Sequence, residues 1–483
     1  MGELLVRNKD RESYWLRVSI VLGLLFFIIY KFYLTGIAWH GRNSPLEPDD
    51  SYGYIAQVVK LEEGQNPFRS HDTRRTVLYN TWILILKNGL KIDFEQAFQL
   101  NFYIGSGLLG FVIYRFLSKS FKDPWFIPIG LIILSFYSGN GSYHGFYWVV
   151  PSFFAFIFWL LLVSEIVNVK NGKWIVLLSA LMGLTHPLSV PLSMVLLVYG
   201  LLERQKSGEG KVIFNKAILV LLVVGVIQVL YFWADYHFGG PSLDYDTVYG
   251  GARIIKSNLV NLDEFRDSNI KGSLATIKTD YFDVVFPRIW LLPIFIGLFY
   301  IVLKEDDNMV ALLYFSSILA LSIFSFHPEG HRLLLVVWPM TFLLVARGVW
   351  IISNWPQMRY KLVWIFLIVG AIGTYGTFFN VKWAKSIAKK DNIEWDRGCV
   401  SWLDDRNMDK MLVFFDDKLS YNDFEAYDYS GSKKIVASTY NYLDELPIPG
   451  YAVLSDRDNW IEPLGQIIEV KDCGHFKTYE VSR

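Results

Sequence analysis

Two carboxylates stand side by side in Glu47-Pro48-Asp49-Asp50-Ser51-Tyr52, a few residues after the first long apolar run. A charge held where a chain leaves hydrocarbon is costly and marks a candidate site. At such a boundary a carboxylate can take the proton of a hydroxyl whose oxygen attacks an electrophilic carbon, such as the anomeric carbon of a sugar. One base suffices for inversion when the leaving group departs as a phosphate. The second carboxylate could orient the first, bind the acceptor, or hold a divalent cation such as Mg or Mn; no cofactor is required by the motif. The plain alternative is a solvated loop pair capping a helix that begins at Ser51.

The other dense cluster is His327-Pro328-Glu329-Gly330-His331-Arg332, again against an apolar run. It lacks the His-Glu-x-x-His spacing of zinc proteases, and its proline and glycine oppose a helix with two ligands on one face. Arg332 with His331 suits a departing phosphate, where charge-assisted donors matter most. Glu329 then holds Arg332 or touches sugar hydroxyls, and His327 joins the substrate side. Arg74 and Arg75 are either further phosphate contacts or interfacial anchors. His144 and His186 are either site residues or structural. Tyr52 and the neighbouring aromatics either stack on a sugar ring or belong to an interfacial belt.

The remainder of the chain is membrane scaffold. Of 483 residues, 53% are hydrophobic and 17% aromatic, and the mean hydropathy is +0.29. Soluble domains average about 45–50% apolar residues even when glycine is counted. Several runs approach the roughly 20 residues that cross a bilayer, so the fold class is an α-helical polytopic membrane protein. A net charge of zero argues against a nucleic-acid partner. The first run has no small-residue cleavage site and reads as a retained helix.

Lysines and arginines set the topology by the positive-inside rule. Arg7, Lys9, Arg11 and Arg17 put the N-terminus in the cytoplasm. About eleven helices then follow, leaving the C-terminus outside. A short apolar segment at 77–90 reads as a partly inserted helix, and Pro187 after His186 breaks the run 174–202 into two short helices. Outer loops at 40–76 and 235–287 complete a transmembrane module over 1–381. This orientation brings the acid pair, His144, His186 and the His327 cluster to one outer face, although only basic residues were used to assign it. The membrane is the cytoplasmic (inner) membrane of a prokaryote, with the endoplasmic reticulum as the alternative.

From 382 to 483 the chain is polar, with strand-like runs at 410–415, 434–438, 451–455, 466–470 and 477–481 between turn residues. It reads as a small extracytoplasmic α/β or β-rich domain. Both cysteines, Cys399 and Cys473, lie in it, and an oxidising outer space favours a disulfide between them.

The acids Pro48-Asp49-Asp50-Ser51-Tyr52, together with Gly183-Leu184-Thr185-His186-Pro187 and the His327–Arg332 cluster, resemble motifs of the GT-C superfamily. These are integral membrane glycosyltransferases that use polyprenyl-phosphate-linked sugars. The last cluster is similar to the His-Lys-Glu-x-Arg-Phe type motif of mannosyltransferases in that superfamily; Pro328 stands in place of the lysine, so the sugar is not carried over. The resemblance implies a GT-C-like fold and a polyprenyl-phosphate-sugar donor. It also implies a glycan, lipid-linked glycan or protein as acceptor, with Asp49 as base and Asp50 in support. A glycan polymerase or ligase using a lipid-linked oligosaccharide, and a transporter, are the alternative readings.

Overall fold

The computed structural model describes residues 2–39, 57–58, 61–62, 64, 66–67, 76–136, 151–168, 172–205, 208–238, 278, 291–305, 308–324 and 330–354, short helical pieces within 369–382, and five strands within 411–482. The helices are α1 (Gly2–Trp39), α2 (Val77–Leu90), α3 (Phe94–Ser120), α4 (Phe126–Ser135), α5 (Pro151–Val167), α6 (Ile175–Thr185), α7 (Ser189–Arg204), α8 (Gly208–Phe238), α9 (Leu291–Lys304), α10 (Met309–Phe324) and α11 (Leu334–Ser353). A 3-10 turn, Gly330–Leu333, leads into α11.

Among the described residues, four stretches are long and apolar enough to cross a membrane: Ser13–Leu34, Gln96–Ser120, Gly208–Ala234 and Leu334–Ser353. Five further apolar helices among the described residues are shorter. The expectation of about eleven spans therefore meets a described set in which several apolar helices are too short to cross singly. The last expected span, 362–379, lies mostly outside the described residues. On α8, Leu222, Val226, Val229, Leu230, Phe232 and Trp233 are all exposed. A face this apolar suits hydrocarbon, not water, and the chain is a multi-pass membrane protein.

Two compact units partition the chain. The first comprises Met1–Ile37, Phe68–Tyr79 and Leu100–Ala384; the second comprises Ala38–Pro67, Asn80–Gln99 and Lys385–Arg483. In the first, small residues let helices approach. A Cβ on Gly23 would stand 3.3 Å from the Pro128 carbonyl oxygen, and one on Gly110 would stand 3.1 Å from a Leu24 methyl, so α1 lies against both α3 and α4. Basic residues tie the ends of several of these helices together. Arg115 of α3 pairs with Glu165 of α5, and Lys216 of α8 donates to the Glu165 and Asn168 carbonyls at the end of α5. The last carbonyls of a helix have no partner within it, and an ammonium there satisfies both hydrogen bonding and the macrodipole.

In the second unit, Asp93 and Gln96 form a capping box at the start of α3: Gln96 N–H donates to Asp93 Oδ1 at 2.7 Å, and Asp93 N–H to Gln96 Oε1 at 3.4 Å. The strands are β1 (Met411–Phe415), β2 (Ile435–Thr439), β3 (Gly450–Ser455), β4 (Gln466–Asp472) and β5 (Phe476–Ser482). Each of the five strand-like runs in the sequence forms one of them. They build a mixed sheet of order β2-β1-β3-β5-β4, with β1 parallel to β2 and β3, and β5 antiparallel to β3 and β4. The irregularity between Glu469 and Lys471 is a bulge in β4.

Candidate functional site

The break between α6 and α7 builds the best-defined part of the site. His186 caps α6 with φ −164° and ψ 146°, an extended conformation. That is where a residue preceding a proline is driven, because the Pro187 ring disfavours the helical region for it. The chain then turns at once: Ser189 N–H donates to the His186 carbonyl and Val190 N–H to the Pro187 carbonyl. The imidazole folds back over its own turn and takes the Leu188 N–H on Nδ1 at 3.0 Å.

The break orphans two carbonyls of α6, and α8 satisfies both. Gly183 would ordinarily receive the N–H four residues on, but that residue is Pro187, which has none. Gln228 Nε2 donates to the Gly183 carbonyl instead, at 3.4 Å. Leu184 would ordinarily receive the Leu188 N–H, which His186 has taken; the hydroxyl of the fully buried Tyr231 donates to it at 3.4 Å. The approach of α8 depends on Gly183, where a Cβ would stand 2.9 Å from Ile227 Cδ1. On the far side of the break, Trp159 of α5 donates its indole N–H to the Leu192 carbonyl of α7 at 3.1 Å.

Onto this braced turn comes Arg332, from the 3-10 turn between α10 and α11. Its Nη1 stands 3.2 Å from His186 Nε2. His186 is 8% exposed. Burial first, and the Arg332 charge second, hold its pKa well below the ordinary 6.5. The ring is therefore neutral beside a permanent cation, and the two sit where α6 ends, α7 begins and the 3-10 turn enters α11. The guanidinium thus stands beside an uncharged ring, and its planar fork has the geometry that matches phosphate oxygens.

Of the residues singled out in the sequence, His186 and Arg332 are thus brought together. The backbone of His331 lies in the same 3-10 turn. Asp49, Asp50, Tyr52, Arg74, Arg75, His144, His327, Glu329, Cys399 and Cys473 lie outside the described residues. Among the described residues, no group of three or more His, Cys, Asp or Glu side chains could hold a metal ion.

Several charged or polar residues were passed over in the sequence. Gln228 and Tyr231 are three apart on an apolar run, the spacing of one helix face, which was the available signal. Lys31 is fully buried in α1, with Nζ 5.7 Å from the Phe27 ring centroid and 5.8 Å from that of Tyr30. Arg347 is buried in α11 over the rings of Phe121 and Phe126. A lysine or arginine inside an apolar run is the mark that each carried.

No family model matches the sequence, and no curated protein matches it. The fold does match solved structures. ArnT from Cupriavidus metallidurans, bound to undecaprenyl phosphate, superposes with a TM-score of 0.58 at 11% identity, over 94% of this chain and 97% of that one. The Archaeoglobus fulgidus oligosaccharyltransferase in complex with Zn and sulfate superposes at 0.57 and 12% identity, over 90% of this chain and 68% of that one. The same archaeal enzyme, AglB, with an inhibitory peptide and a dolichol-phosphate gives 0.56 at 10% identity, over 92% and 70%. The chain thus shares its fold with ArnT and with the archaeal oligosaccharyltransferase.

Proposed function

We propose that this protein is an inverting glycosyltransferase that moves a sugar from a polyprenyl-phosphate donor to an acceptor hydroxyl on the extracytoplasmic face of a prokaryotic inner membrane. The observation that carries the proposal is the guanidinium of Arg332 seated on a neutral His186, within a fold matched along nearly its whole length by a protein bound to undecaprenyl phosphate.

In this reading the donor's prenyl chain stays in lipid and its phosphate reaches the protein at the membrane surface. Asp49 takes the acceptor's hydroxyl proton as that oxygen bonds to the anomeric carbon, and Asp50 orients Asp49 or the acceptor. The bond from the anomeric carbon to the phosphate oxygen breaks on the opposite face of the sugar. Its electron pair leaves on the lipid phosphate, whose charge rises from one to about two as it becomes a monoester. Arg332, with His331, Arg74 and Arg75, meets the charge that appears in the transition state. Glu329, His327, His144 and Tyr52 contact the sugar or the acceptor. The acceptor is a glycan, a lipid-linked glycan or a protein. Asp49 or Asp50 would hold a divalent cation such as Mg or Mn.

A lipid-linked oligosaccharide donor is the second reading, favoured by the similarity to an oligosaccharyltransferase; this chain covers only 68% of that protein's length. Turnover in nanodiscs tests the proposal. A single-sugar prenyl phosphate should be consumed with release of prenyl phosphate, and Asp49→Asn should lower the rate by about 10²–10⁴. Undiminished turnover by a folded Asp49→Asn protein sinks the assignment.

A further inference from the structure

The stretch that follows the acid pair is tied to α2 at two points. Residues 57–58 and 61–62 are helical, and the helix closes at Gly64, whose φ of +86° is the left-handed conformation that ends helices. Gly64 N–H donates to the Leu61 carbonyl at 3.0 Å. Gln57, 4% exposed, accepts on Oε1 from Nδ2 of the fully buried Asn80 of α2, at 3.2 Å. Further along, Lys87 of α2 donates to both carboxylate oxygens of Glu62, at 2.6 Å to Oε1, with its ammonium 4.2 Å from the Phe94 ring centroid. The partners advance together, from Gln57 to Glu62 on one side and from Asn80 to Lys87 on the other. The helix therefore runs beside this part of α2 in the same direction.

We propose that Asn80 and Lys87 are positioning residues for the acid pair: through Gln57 and Glu62 they seat the helix at whose start Asp49 and Asp50 stand, and so fix where the base meets the acceptor. The proposal rests on the reading that Asp49 is that base.

A helix running from Ser51 to Glu62 is too short to persist alone in water, so the element it docks on sets its place. Val58, fully buried next to Gln57, shows that the docked side is packed. Asp50 precedes Gln57 by seven residues, which is about 20° short of two turns and about 10 Å of helix axis. Asp50 therefore comes round to the side on which Gln57 meets α2. There it caps the first turn, taking a backbone N–H that has no partner within the helix. Asp49, one residue earlier, is left to take the acceptor's proton.

The kind of link also suits positioning. An apolar pair would anchor the helix but let it slide and turn, whereas a hydrogen bond between two side-chain amides is directional. It is neutral as well, so it adds no charge near the carboxylates. The ion pair at Glu62 fixes the other end, and the helix between carries both constraints to its start. A misplacement of about 1 Å at the reacting centre can cost about a hundredfold in rate.

The test is turnover by the full-length protein in nanodiscs. It is read as farnesyl phosphate released from a panel of farnesyl phosphates each bearing one hexose or pentose, and is normalised to folded protein. Asn80→Ala should lower kcat about tenfold to a hundredfold and leave the donor KM unchanged, because the donor's phosphate is held by other residues. Lys87→Met acts at the partly exposed end of the clamp and should lower kcat less, again at constant KM. Gln57→Asn shortens the link, and adding Asn80→Gln restores its length and should recover kcat. Lys216→Met, which loosens the tie between α5 and α8, should keep the wild-type kcat; a brace that served stability alone would leave kcat per folded molecule unchanged in every variant.

Wild-type kcat in Asn80→Ala, or in Lys87→Met where Asn80→Ala does not fold, overturns the positioning role; if Asp49→Asn is then inactive, the base stands. An equal loss in Lys216→Met also overturns it, since any loosening would then slow turnover. Undiminished turnover by folded Asp49→Asn, or no release by wild type from any member of the panel, overturns the transferase reading and this proposal with it.

Discussion

Arg332 and His186 are 146 residues apart in sequence and 3.2 Å apart in space. The contact joins two motifs that each abut the end of an apolar helix, and it places a permanent cation beside a neutral imidazole at the α6–α7 break. The first prediction concerns the cation itself. Arg332→Gln should reduce donor turnover by about 10²–10³, the usual cost of removing one donor to a developing negative charge. Arg332→Lys, which keeps the charge but loses the planar fork, should fall between that and wild type. Initial rates against donor concentration measure both, and equal activity for all three proteins would remove Arg332 from the phosphate site.

Stability should depend on pH through His186. Its folded pKa lies well below 6.5, by burial and then by the Arg332 charge, so the unfolded chain binds the proton first as pH falls. The histidine's contribution is complete above pH 6.5 and is lost as pH falls below it, at up to about 1.4 kcal/mol per pH unit while only the unfolded state is protonated. Unfolding midpoints between pH 7.5 and 5 should therefore decline more steeply for wild type than for His186→Gln. Parallel declines would show that other groups carry the effect.

The brace behind the break is a separate test. Tyr231→Phe removes the hydroxyl that donates to the Leu184 carbonyl and should cost about 1 kcal/mol of stability. Gln228→Leu should do the same at Gly183. Because both act on one broken helix, the double variant should also raise the donor KM by loosening His186. Wild-type thermal midpoints in both single variants would mean that the carbonyls find other partners.

Close approach of α6 to α8 should make Gly183 sensitive to size. Gly183→Ala puts a methyl 2.9 Å from Ile227 Cδ1, the movable end of a side chain, at a cost of about 1 kcal/mol. Gly183→Val cannot be accommodated by that shift alone and should cost more. Ile227→Val removes the obstructing methyl, so the pair Gly183→Ala with Ile227→Val should recover stability relative to Gly183→Ala. A double-mutant cycle with no coupling would place the contact elsewhere.

At the other end of the helices, Lys216→Met should destabilise the protein by about 1 kcal/mol. It leaves the Glu165 and Asn168 carbonyls at the end of α5 without the ammonium that donates to them. Catalytic rates per folded molecule should be unchanged, since this tie is remote in the chain from every residue given to the site.

Local chemistry was legible in the amino-acid order wherever one residue acts on its immediate neighbours. Pro187 dictates a break and an extended His186, and the apolar segment 77–90 forms α2 over the same residues. The alternating runs after residue 410 each become a strand, because turn residues bound them and strand propensity fills them. Parallel pairing of β1 with β2 and β3 was not legible, since partner choice depends on the path of the connecting chain. Lys216 stands just before an apolar run, yet it lies on α8 and closes α5, because the helix begins well before that run does. The meeting of Arg332 with His186, the donation of Gln228 and Tyr231 to carbonyls that a proline had orphaned, and the burial of Lys31 were decided only when the helices packed. Composition and spacing say which groups can hydrogen-bond; which of them meet depends on distances between segments remote in sequence, and only tertiary packing sets those distances.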